Sequence, residues 1–314
     1  MKINMKTKFY FFIFLFFIVF YIYVFNIKFL NNKSIENFEE TSEKQIPKII
    51  WSFWDKGAEN AHHIVKKCIN NWQKLNPTWK INILNDNNYL DYIDKNEISG
   101  INFKDLFPQK KADLIRIILI SKYGGVWLDG STILLEPLDW IQKKINNTNK
   151  DSVVFSADHF TTNKEKPVLE NWFISAVPNS HFINLWKNEF ITYLRMGHKP
   201  YMETFPKDID FQKFGNSQYL TMHAGAIKIM HDKNLDELKL LTIPSSEGPF
   251  GIQMDLKWIY YDLADFLATN TNYDKYKYFI KIRGYERYIL DKYLNNPKNK
   301  IQKNSILNKF LEMQ

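Results

Sequence analysis

The chain has 314 residues, 45% hydrophobic and 16% aromatic, with 42 Lys and Arg against 34 Asp and Glu for a net charge of +8. That length suffices for one large domain or two small ones, and the single cysteine, Cys68, excludes an internal disulfide and a cysteine zinc site. Opposite charges are mixed and no basic-aromatic motif occurs, so the expected partners are anionic small molecules or a membrane surface, not nucleic acid.

Residues 9–25, FYFFIFLFFIVFYIYVF, carry neither charge nor proline. With Asn26 and Ile27 they predict a transmembrane segment over 9–27, after a short tail at 1–8. No small-residue cleavage site follows, so the expectation is an uncleaved signal anchor. Residues 28–45 are polar and acidic and read as a stem. Lys2, Lys6 and Lys8 before the segment direct the rest of the chain to the far side of the membrane, as in a Golgi-type lumen. The alternative is the cytoplasmic face of a bacterial inner membrane, where activated sugars are made.

Ordered structure is expected from Ile46. KIIWSFW reads as a buried strand, and Ala61, Ile64, Val65, Cys68, Ile69, Trp72 and Leu75 recur at helical spacing up to Pro77. WKINIL (79–84) predicts a second strand. In the stretch from Asp105 to Asp139, Ala112, Ile115, Leu119 and Ile120 alternate with charged residues as in an amphipathic helix. Gly124 and Gly125 stop it, and Val126-Trp127-Leu128 forms a short buried strand. This β-α-β-α-β order predicts a mostly parallel sheet with helices on both faces. Further strands are expected at 152–157, 171–176, 238–243 and 277–282, and helices at 180–194, 217–230 and 255–268. The whole reads as one domain over 46–290, with a surface helix and tail over 291–314.

The chain has no GxxxxGK[ST], GxGxxG, HExxH or GxSxG motif. What remains is Asp129, at the carboxyl end of a buried strand where open α/β sheets bind ligands. It is either a capping turn residue or the anchor of a site. An anchor there suits a divalent cation, Mn²⁺ or Mg²⁺, bridging the phosphates of a nucleotide-activated donor whose leaving group gains charge. The sequence is Asp129-Gly130-Ser131: Gly130 admits a close phosphate, and Ser131 is a weaker ligand than a second carboxylate. Asp113 and Arg116, one helical turn apart, are either an exposed ion pair or a ribose and phosphate contact.

The segments IPKIIWSFWDKG (46–57), NPTWKINILND (76–86), ADLIRIILISKYGGVWLDGSTILLEPLD (112–139) and ENWFISAVPNSHFINLW (170–186) together resemble the capsular polysaccharide synthesis protein family. That family is similar to DXD-containing glycosyltransferases, which include yeast mannosyltransferases. The resemblance implies a GT-A fold, a UDP- or GDP-linked sugar donor, a glycan or lipid-linked acceptor, and retention at the anomeric carbon. It carries Asp113 and Arg116 onto the family's S-D-x-x-R, with Ala112 in place of the Ser, and Asp129 onto its W-x-D.

Further candidates are Trp54 for stacking and Lys281 for phosphate on the donor side. Asp158, Ser246 and Glu247 are expected on the acceptor side, and His223 as a metal or diphosphate contact. Trp51, Asp55, Lys56 and His159 remain open between site and packing. The reading is a membrane-anchored glycosyltransferase in glycan synthesis. Its alternatives are an inactive GT-A-fold module that binds glycan or a partner, and a sugar-phosphate transferase.

Overall fold

A computed structural model describes Tyr21 and residues 45–314, apart from 147, 216, 217 and 314. Apart from Tyr21 and Gln45, the expected anchor and stem therefore lie outside the described residues. Among the described residues no helix is long and apolar enough to cross a membrane. Residues Gln45–Gln314 form one compact unit.

The strands are β1 (Ile49–Phe53), β2 (Lys80–Leu84), β3 (Gly125–Leu128), β4 (Thr132–Leu134), β5 (Ser152–Ser156), β6 (Leu169–Ala176), β7 (Leu240–Pro244) and β8 (Phe279–Lys281). The helices are α1 (His63–Leu75), α2 (Pro108–Tyr123), α3 (Trp140–Ile145), α4 (His181–Met196), α5 (His198–Met202), α6 (Thr221–His231), α7 (Gly251–Asp255), α8 (Asp262–Thr269), α9 (Gly284–Leu294) and α10 (Ile306–Glu312).

Six strands form the central sheet in the order β2-β1-β3-β6-β5-β7. Strand β1 is parallel to both β2 and β3, and β5 is parallel to β7, while β6 runs antiparallel to both of its neighbours. Five strands thus point one way, as the alternating pattern implies, and β6 opposes them. The chain leaves β1 through α1 to reach β2 on one side, then crosses through α2 to β3 on the other. That reversal opens a crevice beyond the carboxyl ends of β1 and β3.

Side chains alternate between two core layers, as the two-residue period of a strand requires. Ile50, Val126 and Leu128 face α1, whose Ile64, Cys68 and Trp72 are wholly buried. Trp51, Phe53 and Trp127 face α2, with α4 and α6 behind it. Helix α2 is not amphipathic as its charges suggest: every residue from Asp113 to Ser121 is buried, because the sheet covers one side and α4 another. A helix enclosed this way keeps charged residues only where they pair, and Asp113 and Arg116 do.

The junction of α2 and β3 explains the two glycines. Gly124 and Gly125 have φ of +63° and +87°. A β-carbon at Gly125 would lie 2.6 Å from the Ile49 carbonyl oxygen, which backbone cannot yield cheaply. Gly125→Ala is therefore expected to cost roughly 2–4 kcal/mol, from the left-handed strain plus the collision. Urea denaturation would read it as a lowered midpoint at unchanged slope.

Three expectations for the C-terminal part are revised. The helix expected over 255–268 is confined to α8, from Asp262, and the short α7 before it ends at Asp255. The loop after α4 contains the short α5. The tail expected on the surface belongs to the domain: Ile306, Leu307 and Phe310 are buried in the α1-side core. Strands β4 and β8, too short for the periodicity to reveal their partnership, pair antiparallel with Thr132 opposite Lys281. That pairing completes the site.

Candidate active site

A cleft of about 340 Å³ opens at the crevice between the ends of β1 and β3. It brings together Trp54, Asp113, Arg116, Asp129, Gly130, Ser131, His223 and Lys281, the whole set predicted for donor and metal binding. Asp55, an open candidate, also lines it.

Asp129 is the hub. Its Oδ1 accepts hydrogen bonds from Arg116 Nη2 at 3.1 Å and Trp127 Nε1 at 3.0 Å, and its Oδ2 accepts from Lys281 Nζ at 3.0 Å. About 30% of the side chain remains exposed to the cleft. Burial pushes its pKa up, but Lys281 and Arg116 with the Trp127 N–H outweigh that and hold it below the ordinary carboxylate value. The two cations are buried, Arg116 at 4% exposure and Lys281 at 8%. Burial lowers the pKa of Lys281, and Asp129 opposes that shift.

Arg116 is fixed from several directions. Its Nη1 donates to the Asn171 carbonyl at 2.7 Å and lies 3.2 Å from Asp113 Oδ1, and its guanidinium stands 5.0 Å from the Trp127 ring centre. Asn171 Nδ2 donates to the same Asp113 oxygen at 3.0 Å. The expectation of an exposed helical ion pair is therefore replaced by a buried network that joins α2 to β6. Asp113 Oδ2 faces Lys110 at 3.7 Å, and burial raises its pKa while Arg116 and Lys110 pull it down.

Gly130 meets a local constraint besides any ligand. A β-carbon there would touch Val65 Cγ1 at 2.9 Å, below the Trp54 ring. The Ser131 hydroxyl donates to the Ile282 carbonyl at 2.7 Å and accepts from Arg287 Nη1 at 3.3 Å. Arg287 also sits 5.7 Å from the Trp54 ring centre, and among the described residues no carboxylate lies within ion-pair distance of it. His223 is neutral, its pKa pushed down to about 3 by burial and by Arg116 and Lys110. Its Nδ1 has no hydrogen-bond partner among the described residues.

These donor atoms do not fit Mg²⁺ or Mn²⁺. Both oxygens of Asp129 already face protein cations, Arg116 on Oδ1 and Lys281 on Oδ2, and the Ser131 hydroxyl is committed to backbone. Unit charges 4 Å apart repel by about 4 kcal/mol at an effective dielectric near 20, and a divalent ion doubles that for each neighbouring cation. Among the described residues the one three-membered group of His and acid ligand atoms is His62, His63 and Asp291, none of which lines the cleft. His62 Nδ1 accepts the Ile64 N–H, so its own proton resides on the Nε2 that faces Asp291.

The acceptor-side candidates gather elsewhere. Asp158 Oδ2 accepts from the Ser246 amide at 2.9 Å, and the Glu247 carbonyl accepts from the Lys277 amide at 2.9 Å, so the three form one corner beyond β5 and β7. None of them lines the 340 Å³ cleft. His159 packs against Phe160 and Trp258 with its ring tilted to both. Trp51 is core: it is 2% exposed and its Nε1 donates to the Gly124 carbonyl.

Three residues in or near the cleft escape sequence reasoning. Asn171 interrupts an apolar strand, which was the available signal for it. Arg287 follows on a helix whose pattern looks exposed. Glu170 is 6% exposed, with Oε2 accepting from Trp172 Nε1 at 2.8 Å. Burial drives its pKa up to about 7, against the pull of the Trp172 N–H and Lys281, with Asp158 and Asp129 adding to the rise.

The fold and the cleft define an α/β protein with a charged cleft at the switch point of its sheet. The chain belongs to the capsular polysaccharide synthesis protein family, whose model matches residues 19–242. It is 27% identical over 154 residues to glycosyltransferase afumC of Aspergillus fumigatus, covering 46% of this chain and 39% of that protein. To O-glycosyltransferase braB of Annulohypoxylon truncatum it is 28% identical over 159 residues, covering 46% and 37% respectively. The matches thus span about two fifths of these relatives' length. A solved PaToxG glycosyltransferase aligns with 62% of this chain and 78% of its own at 16% identity, with a TM-score of 0.38.

Proposed function

We propose that this chain is a glycosyltransferase of GT-A type that moves a sugar from a nucleoside diphosphate donor to a hydroxyl of a glycan or lipid-linked acceptor. The observation that carries the reading is the cluster at Asp129. A carboxylate fixed by Arg116, Lys281 and Trp127 stands at a switch-point cleft whose other walls carry a tryptophan and further basic groups. Such a cleft suits a ligand with an aromatic base at one end and a dianionic diphosphate in the middle.

In this reading Trp54 stacks on the base or sugar, and the Oδ2 side of Asp113 takes ribose hydroxyls. Arg116 orients Asp129 and faces phosphate. His223, neutral and with its Nδ1 unpaired among the described residues, hydrogen-bonds the donor. The C1–O bond to phosphate breaks with its electron pair staying on the departing oxygen. The acceptor hydroxyl oxygen bonds to C1 from the same face and passes its proton to that phosphate oxygen, so configuration is retained. Asp158, Ser246 and Glu247 receive the acceptor, and residues 9–27 tether the domain to a membrane.

The test is a donor-hydrolysis screen of the full chain over UDP- and GDP-linked sugars, followed by product analysis. Release of nucleoside diphosphate supports the reading. Release of monophosphate points to sugar-phosphate transfer, and no turnover or binding of any donor overturns it.

A further inference from the structure

The donor diphosphate must be neutralised as it leaves, and the side chains around Asp129 indicate what does so. Resting on the transferase reading above, we propose that Lys281 and Arg287 of this chain, and no divalent cation, hold the diphosphate and stabilise it as leaving group.

Three observations carry this. Lys281 Nζ lies 3.0 Å from Asp129 Oδ2 and Arg116 Nη2 lies 3.1 Å from Oδ1, so a metal ion on either oxygen would stand beside a protein cation. Both cations are nine-tenths buried, so neither is readily withdrawn into water. The register of β4 with β8 sets Lys281 opposite Thr132, which keeps its ammonium beside Asp129.

The second observation concerns position 131. The Ser131 hydroxyl gives its proton to the Ile282 carbonyl and offers its remaining lone pair to Arg287. At the place suited to a second metal-binding carboxylate stands a serine that seats a guanidinium.

Third, Arg287 lines the cleft on the Trp54 ring with no carboxylate in ion-pair range among the described residues. A guanidinium held in place without a direct ion pair among the described residues presents its planar donors to an anion, and phosphate matches their geometry. As the C1–O bond breaks, the electron pair settles on a phosphate oxygen beside these two cations. No proton or metal needs to enter from elsewhere, since the acceptor hydroxyl supplies the proton to that oxygen.

The experiment is calorimetric titration of the full chain with UDP and with GDP, after EDTA treatment and again with excess MnCl₂. The expected result is binding of at least one nucleotide in EDTA, with Kd changed by less than about threefold on adding Mn²⁺. Arg287→Met is expected to weaken that binding by about 10- to 100-fold, the range for loss of a charged hydrogen-bonding group. Binding that appears only with Mn²⁺ overturns the proposal and leaves the transferase reading standing. Absence of nucleotide binding in both arms overturns both. The comparison uses the unsubstituted chain, so its outcome does not depend on the variant folding.

Discussion

Asp129→Asn is expected to reduce sugar transfer by about 10²- to 10³-fold, the scale for losing one preorganised electrostatic group at a site of reaction. Asparagine offers a single acceptor oxygen, whereas Asp129 accepts from Arg116, Trp127 and Lys281 on two. Whichever way the amide turns, its NH₂ faces a cation and a donor meets a donor. The substitution also removes the charge that balances two buried cations. Stability should therefore fall as well, toward the roughly 3–5 kcal/mol typical of a broken buried pair, reduced because Asp129 is 30% exposed. Adding Lys281→Met to Asp129→Asn tests the stability part alone: the double variant should regain much of the lost urea midpoint by removing one unbalanced ammonium. The activity part is read from the single variant assayed where its urea profile shows it fully folded, and full sugar transfer there would mean that Asp129 acts on folding alone.

Glu170 gives the second large effect, and its sign is opposite to that of most carboxylates. Its pKa is raised from the ordinary 4.5 to about 7 in the folded chain, chiefly by burial. Between those values the folded state keeps a proton that the unfolded state has released. Stability then falls as pH rises from about 4.5 to about 7, by roughly 3 kcal/mol in total, and levels off above. Glu170→Gln can still accept from Trp172 Nε1 and has nothing to ionise. It should match the parent near pH 5 and exceed it near pH 8, as read from paired urea titrations. Parallel pH profiles for the two proteins would show that Glu170 is solvated and ionised throughout.

How much of this was written in the residues depends on distance along the chain. Asp129 was legible because an apolar run, Val126-Trp127-Leu128, ends on a carboxylate after a two-glycine stop, all within a few residues. The parallel sheet was legible because strand and helix patterns alternate. The direction of β6 was not, since a buried strand reads the same either way. The enclosure of α2 was also hidden, because Asp113 and Arg116 look like surface residues until Asn171 and Asp129 are brought to them. Lys281 was picked out as a phosphate contact, yet nothing near it announces a partner 152 positions earlier. Arg287 and the commitment of Ser131 to Ile282 depend on that same long-range pairing. Local spacing shows the acid and suggests a metal; of the two cations that pair with the acid, Arg116 is 13 positions away and Lys281 comes from the far end of the chain.

The pairing of β4 with β8 has a temporal consequence. Because Lys281 reaches Asp129, and Arg287 reaches Ser131, only from segments near the end of the chain, a polypeptide emerging from the ribosome can form β1 to β3 with the cleft still lacking both cations. The closing strand docks last, a step made slow by the loop it must span.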